Sequence, residues 1–274
     1  MGPVVDADWL SQHLGDPDLR VIDFRWYLAG DRTGRGDYAD GHIPGAVFVD
    51  LEEVTAATGA GRHPLPSREQ FQRVMREAGV GTASRVVVYD QRKGYSAARL
   101  WWLLRYFGHP EVAVLDGGAG AWPGPWETEA VRPAEGDFLA AEPDGRAVVG
   151  YEKARELLGR RVFLDARAPE RFSGEAEPID AKAGHIPGAL NAFYGENLDS
   201  DGRLLPAAEL RDRYEELGVR SGEDVVMYCG SGVSACLDLL AMELAGLPGA
   251  RLYAGSWSDW SGHDEAPVAT GAES

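Results

Sequence analysis

Gly41-His42-Ile43-Pro44-Gly45-Ala46 returns 143 residues later as Gly184-His185-Ile186-Pro187-Gly188-Ala189. Upstream, Val21-Ile22-Asp23-Phe24-Arg25 is matched by Phe163-Leu164-Asp165-Ala166-Arg167 at an offset of 142. Downstream, Val87-Val88-Tyr89-Asp90 is matched by Val226-Met227-Tyr228-Cys229 at 139, and Gly117 and Trp122 by Gly255 and Trp260 at 138. Four matches in the same order with a slowly drifting offset mark a duplication. A period of about 140 residues makes each copy a domain rather than a solenoid repeat.

Each copy reads alike. A short β-rich apolar run (Leu19–Phe24; Val162–Leu164) leads to the His-Ile-Pro-Gly segment, followed by an amphipathic stretch (Ser67–Ala78; Ala207–Leu217). Then come a buried strand (Arg85–Tyr89; Asp224–Tyr228), a loop, a second helix and a last strand (Val112–Leu115; Ala250–Tyr253). Strands alternating with helices predict an α/β chain of two tandem domains, each a mainly parallel sheet flanked by helices. Pro123 to Gly145 is rich in Pro, Gly, Glu and Ala and reads as the connector. The expected division is 1–125, a linker at 126–145, and 146–274.

With 274 residues, 44% hydrophobic and 9% aromatic, the chain has enough apolar mass for a packed core. No apolar run approaches the roughly 18 residues needed to span a bilayer. Met1 to Asp8 lacks the cationic flank and apolar run of a secretory signal, so the expected location is cytoplasmic. Lys and Arg number 27 against 44 Asp and Glu, a net charge of −17. Such a surface repels nucleic acid and anionic membranes, and neither is an expected partner. An anionic substrate would need local positive potential at its site. Two cysteines, Cys229 and Cys236, are too few for a disulfide scaffold. Seven residues apart on a helix start, they would lie about 10 Å apart, too far to bridge. One of them is a candidate working thiol.

The copies differ at one telling point. The strand ending in Tyr228 delivers Cys229 and then Gly230-Ser231-Gly232-Val233-Ser234-Ala235, where the first copy has Asp90. Ligands of open α/β sheets sit beyond the carboxyl ends of strands. Leu237, Leu240, Ala241 and Leu244 at helical spacing start a helix directly after the loop. Gly230 and Gly232 let backbone N–H groups turn inward, and a loop entering a helix N-terminus cradles an anion and favours a thiolate at Cys229. A lone cysteine is more often a buried structural residue; here strand end, glycines and helix together favour the reactive reading. Cys236, inside the helix, reads as a small packing residue. His42 and His185 read as structural, fixing a turn beside Pro-Gly. His13, His109 and His263 show no ligand-like clustering, so no metal site is expected.

The Cys-Gly-Ser-Gly-Val-Ser-Ala loop, the two Gly-His-Ile-Pro-Gly segments, Asp165-Ala166-Arg167 with Arg171-Phe172-Ser173-Gly174, and Gly255-Ser256-Trp257-Ser258-Asp259-Trp260 resemble the tandem-domain rhodanese family. That family holds the thiosulfate and 3-mercaptopyruvate sulfurtransferases, and the similarity spans about residues 5–262. It implies two rhodanese-like domains, an inactive first (1–125, Asp90 in place of Cys) and a catalytic second (146–274). It further implies a thiolate at Cys229 that takes the outer sulfur of a small anionic donor as a persulfide. The sulfur then passes to a thiol acceptor such as thioredoxin or glutathione, or to cyanide. The loop of Gly230, Ser231, Gly232, Val233 and Ser234 would hold the persulfide through backbone N–H groups, with no cofactor. Arg171 matches the family arginine that grips the donor, supplying the fixed cation the net charge calls for. Ser231, His63 and Glu52 match a Ser–His–acid set assisting donors in the mercaptopyruvate branch, although the family usually has Asp at the acid. Trp26 and Tyr95 match first-domain residues facing the cleft, with ordinary packing as the alternative.

Two competing activities are weighed on the loop itself. A phosphocysteine phosphatase places Arg six residues after Cys, and here that residue is Ala235. Many rhodanese-like domains are binding modules that have lost the Cys; with Cys229 and Arg171 both present, a non-catalytic rhodanese-like sulfur-carrier or binding protein is the less favoured alternative. Between donors, the small Gly-Ser-Gly loop resembles the mercaptopyruvate branch, because thiosulfate enzymes typically carry Arg and Lys after the Cys. That branch usually has a second arginine nine residues after the first to hold the ketoacid carboxylate. Here the position is Asp180, expected to repel such a carboxylate, so a thiosulfate-specific enzyme stays open as the alternative.

Overall fold

Runs of Val, Met and Tyr that cannot be amphipathic at any period must be buried on both faces, and they build the sheets. The computed structural model describes Met1–Gly271. It divides into two compact units. The first holds Met1–Ala56, Pro66–Pro143 and Ser200–Arg203; the second holds Ala57–Leu65, Asp144–Asp199 and Leu204 onward.

The first unit carries strands β1 (Val4–Val5), β2 (Leu19–Asp23), β3 (Val47–Phe48), β4 (Arg85–Tyr89) and β5 (Val112–Leu115). They pair in the order β1-β5-β4-β2-β3, every pair parallel. The second unit repeats the permutation. Its strands β6 (Val148–Val149), β7 (Val162–Asp165), β8 (Leu190–Asn191), β9 (Val225–Tyr228) and β10 (Arg251–Tyr253) pair as β6-β10-β9-β7-β8, again parallel. Helices α1 (Ala7–His13), α2 (Gly34–Asp40), α3 (Arg68–Glu77) and α4 (Tyr95–Tyr106) belong to the first sheet. Helices α5 (Tyr151–Leu157), α6 (Pro169–Ser173), α7 (Ala207–Glu216), α8 (Ala235–Leu244) and α9 (Ser256–Trp260) belong to the second. The duplication and the parallel α/β class read from sequence are both present.

β4 and β9 occupy the middle of their sheets, and their apolar residues are fully buried. α8, which follows β9, is buried from Ala235 to Met242, so it packs on all sides rather than along one stripe. The carboxyl end of the central strand and the start of a buried helix therefore meet at Cys229.

The repeated motif has a physical reason in both units. Ala46 N–H donates to Ile43 O and Ala189 N–H to Ile186 O, closing a β-turn with Pro second and Gly third. Gly45 at φ +75° and Gly188 at +81° take the left-handed conformation that such a turn demands of its third residue. Arg25 forks onto Asp23 and also donates to Gly41 O (2.7 Å); Arg167 does the same with Asp165 and Gly184 O (2.7 Å). The Asp-x-Arg of the strand end thus staples the start of the His-Ile-Pro-Gly segment. His42 Nδ1 bonds Tyr38 O and His185 Nδ1 bonds Phe172 O, each imidazole stacked on that same ring at 3.9 and 3.8 Å. Both histidines tie the motif back to the preceding helix rather than to the Pro-Gly turn, which the glycine closes by itself.

The Pro- and Gly-rich stretch after Pro123 forms no helix or strand up to Arg146 but lies against the first unit as far as Pro143. Its anchor is Phe138, buried edge-on to Phe71, while Arg76 Nε donates to Phe138 O at 2.7 Å. Among the described residues, no helix is long and apolar enough to cross a membrane.

Candidate functional site

Cys229 is the first residue beyond β9 and is 2% exposed. Its backbone is held on both sides by the Gly-Ser-Trp-Ser segment. Cys229 N–H donates to Ser256 Oγ (3.1 Å), Trp257 N–H donates to Cys229 O (2.9 Å), and Ser258 N–H donates to Gly230 O (2.9 Å). Ser256 accepts a left-handed backbone, φ +55°, to make this contact, and its hydroxyl donates on to Tyr253 O (2.9 Å). The equivalent residue in the first unit is Gly118, at φ +57°. There a glycine takes the strain; the second unit keeps a serine in the same conformation and gains its Oγ.

The loop then curls back on the sulfur. Gly232, at φ +77°, directs its N–H to Cys229 Sγ at 3.1 Å. That bond strengthens as negative charge gathers on sulfur. Ser231 and Val233 are buried, and Ser234 is half-buried as the cap of α8. Cys236 donates its S–H to Gly232 O (3.3 Å), so the second thiol braces the loop. Cys229 lies at the strand end, off the helix, so the helical spacing expected between the two sulfurs does not apply; neither cysteine is in a disulfide.

The first unit shows what this cradle holds when no cysteine is present. Asp90 is fully buried at the end of β4, and its carboxylate accepts from the N–H groups of Arg92 (3.2 Å), Gly94 (3.0 Å), Ser96 (3.1 Å) and Ala97 (3.2 Å) and from Ser96 Oγ (3.0 Å). The same loop position is thus an anion site, occupied by the chain's own carboxylate. Burial pushes this carboxyl above its ordinary range against those hydrogen bonds.

Around Cys229 the second unit gathers a His–Ser pair and a charged cluster. His63 Nδ1 and Ser231 Oγ share a buried hydrogen bond of 2.8 Å, bringing together residues 168 apart in sequence. Arg171 forks onto Glu177 through Nη2 (2.8 and 3.0 Å) and Nε (3.3 Å) and also reaches Asp180 Oδ2 (2.8 Å). The other oxygen of Asp180 pairs with Arg62 Nη1. Asp180 was expected to face a donor as a bare anion; instead it is shared between two guanidiniums. Burial raises its carboxyl above the usual range, Arg62 and Arg171 oppose this, and Glu177 adds to it. Burial also raises Glu177, but Arg171 together with the N–H groups of Asp180 and Ile179 outweighs it and holds that carboxyl below the ordinary range.

Glu52 belongs to the other unit. It is an exposed residue of the 3-10 turn Leu51–Val54 in the first unit, where Trp26 and Tyr95, both half-buried, also lie. Sequence reasoning missed Arg62 and Glu177, because neither belongs to a motif. The only available signal for Arg62 was its place beside His63.

The rhodanese-like domain family matches residues 6–124 and 151–263, nearly the whole chain in two copies. The chain is a tandem-domain sulfurtransferase of the rhodanese family. Its relatives in this family include the probable 3-mercaptopyruvate sulfurtransferase of Pseudomonas aeruginosa, 43% identical over 98% of each chain. The putative thiosulfate sulfurtransferase SseB of Mycobacterium tuberculosis is 41% identical over 94% of this chain and 92% of that protein. Among solved rhodanese structures, the 3-mercaptopyruvate sulfurtransferase SseA of Escherichia coli superposes with a TM-score of 0.84 at 38% identity, covering 94% of this chain and all of that one.

Proposed function

We propose that the chain takes the thiol sulfur of 3-mercaptopyruvate, with thiosulfate as a second donor, and moves it as sulfane sulfur through a persulfide on Cys229. The observation that carries this reading is the Gly232 N–H aimed at Cys229 Sγ at the end of the central strand. The thiolate attacks the donor sulfur; an S–S bond forms, the C–S bond breaks, and the carbon keeps the electron pair. The donor's thiol proton ends on that carbon, giving pyruvate and a Cys229 persulfide anion. A thiolate such as that of thioredoxin or glutathione, or cyanide, then takes the outer sulfur and restores the Cys229 thiolate. Ser231 and His63 carry the proton between donor sulfur and carbon, and their 2.8 Å hydrogen bond supports that role. Glu52 is the acid of that set on its motif match alone. Gly230, Gly232, Val233 and Ser234 supply the cradle, and Arg171 attracts the anionic donor.

The division 1–125, linker 126–145 and 146–274 belongs to the same proposal, its last three residues lying outside those described; the family match over 6–124 and 151–263 supports it. A cytoplasmic location is part of it too, supported by two cysteines that form no disulfide. A thiosulfate-specific enzyme is the second reading, favoured by the resemblance to SseB.

Steady-state kinetics with both donors and cyanide tests the proposal. Cys229→Ser should abolish transfer from either donor, and Cys236→Ser should keep most of it. Turnover of thiosulfate alone would select the second reading, and turnover of an aryl phosphate would replace both.

A further inference from the structure

Gly230 separates Cys229 from Ser231, yet it is not among the glycines with positive φ. Its reason is space. A methyl group built on it would lie 2.9 Å from Arg62 Nη2 and 3.3 Å from Arg171 Nη1. Two guanidiniums therefore converge on the backbone next to the nucleophile. Their other edges are occupied: Arg171 gives Nε and Nη2 to Glu177 and Asp180, and Arg62 gives Nη1 to Asp180. Among the described residues, no carboxylate takes Arg171 Nη1 or Arg62 Nη2, and Arg62 Nε is buried without a partner. The main chain of Arg62 is fixed as well, its N–H donating to Ser258 Oγ at 3.0 Å. Arg62 and Asp180 line an open cleft of about 420 Å³, with Ile179, Ser258 and His263 among its other walls.

We propose that Arg62 and Arg171 form a two-guanidinium seat for the carboxylate of a 2-oxo acid sulfur donor, with Asp180 as the clamp that holds the pair. Arg62 then sets the preference for such donors over thiosulfate. The inference rests on the sulfurtransferase reading above. The chemistry fits a planar carboxylate, which accepts from two adjacent N–H groups at once. Thiosulfate has no carboxylate and draws only on general attraction, which salt screens. Asp180 serves the seat by dividing its oxygens between the two arginines. Without it, two like charges would lose the anion that holds them together.

The test uses the full chain with two readouts. One is the ratio of kcat/KM for 3-mercaptopyruvate to that for thiosulfate. The other is calorimetric binding of pyruvate, which carries the carboxylate but no transferable sulfur. Arg62→Gln should lower the ratio about ten-fold or more, mainly through KM, and weaken pyruvate binding by a similar factor. Arg62→Lys, which keeps the charge without the fork, should fall between. Asp180→Asn should weaken pyruvate binding by loosening both arginines. A ratio unchanged in Arg62→Gln, or pyruvate bound as tightly as in the wild type, would overturn the seat. Tighter pyruvate binding in Asp180→Asn would show that Asp180 repels rather than clamps, and would also overturn it. A wild type that binds pyruvate through Arg62 but transfers sulfur from neither donor would sink the reaction while leaving the seat standing.

Discussion

Ser256 is the only described residue other than glycine with a positive φ, and it gives the backbone of Cys229 its hydrogen-bond acceptor. Replacing it separates strain from bonding. Ser256→Ala keeps the left-handed strain and leaves the buried Cys229 N–H unpaired, a loss of about 1–3 kcal/mol. Ser256→Gly loses the same acceptor but relieves the strain, so it should be less damaging by up to about 1 kcal/mol. Urea denaturation of the three proteins checks the order, wild type above Gly above Ala. An alanine variant as stable as the wild type would mean that Ser256 Oγ does nothing for the strand end. Single residues were the hardest scale to read from sequence. Cys229 was legible because strand, glycines and helix all point at it. Arg62 and Glu177 were not, since an isolated charge carries no period or spacing, and its partner is set only by the folded chain.

At the scale of elements, α8 holds an ionisable group that the motif reading passed over. Asp238 is fully buried, with Oδ1 accepting from Asn197 Nδ2 (2.8 Å) and Tyr214 Oη (3.0 Å), while Oδ2 has no partner. Burial pushes its carboxyl up to about 7, against the pull of Arg213, Asn197 and Tyr214. The folded state therefore holds a proton that the unfolded chain releases near pH 4. Between about pH 4 and 7 the native protein binds more protons than the unfolded one, so this group's contribution to stability falls as pH rises. The loss is at most about 1.4 kcal/mol per pH unit and is complete above about pH 7. Urea midpoints of the wild type and Asp238→Asn at pH 5 and 7.5 should show the wild type losing more stability over that interval. Equal slopes would mean that Asp238 is ionised throughout. Longer elements followed from sequence because burial writes itself into them: the Val-rich strands and α3, whose cap Ser67 accepts the Gln70 N–H at 3.1 Å. The two-residue strands β1, β3, β6 and β8 and the five-residue helices α6 and α9 were not foreseen. They are too short to show a period and exist because a neighbouring strand or turn supplies their partners.

At the scale of the whole molecule, one duplicated sheet has been put to two uses. Each copy ends its central strand in a loop that collects backbone N–H groups. The first fills that loop with the carboxylate of Asp90, and the second presents Cys229 there instead. The duplication was legible because each copy needs the same staple, Asp-x-Arg to His-Ile-Pro-Gly, and the same glycine in its turn. The net charge of −17 makes an anionic donor an unfavoured visitor, which is why the arginines beside the loop matter. The central claim is that a donor leaves its sulfur on Cys229. Mass spectrometry of the intact chain and its peptides after brief exposure to 3-mercaptopyruvate, without an acceptor, tests it most directly. The account predicts one added sulfur atom on the peptide containing Cys229 in the wild type and in Cys236→Ser, lost on adding cyanide and absent from Cys229→Ser. Sulfur retained by Cys229→Ser, or found on Cys236 alone, would contradict it.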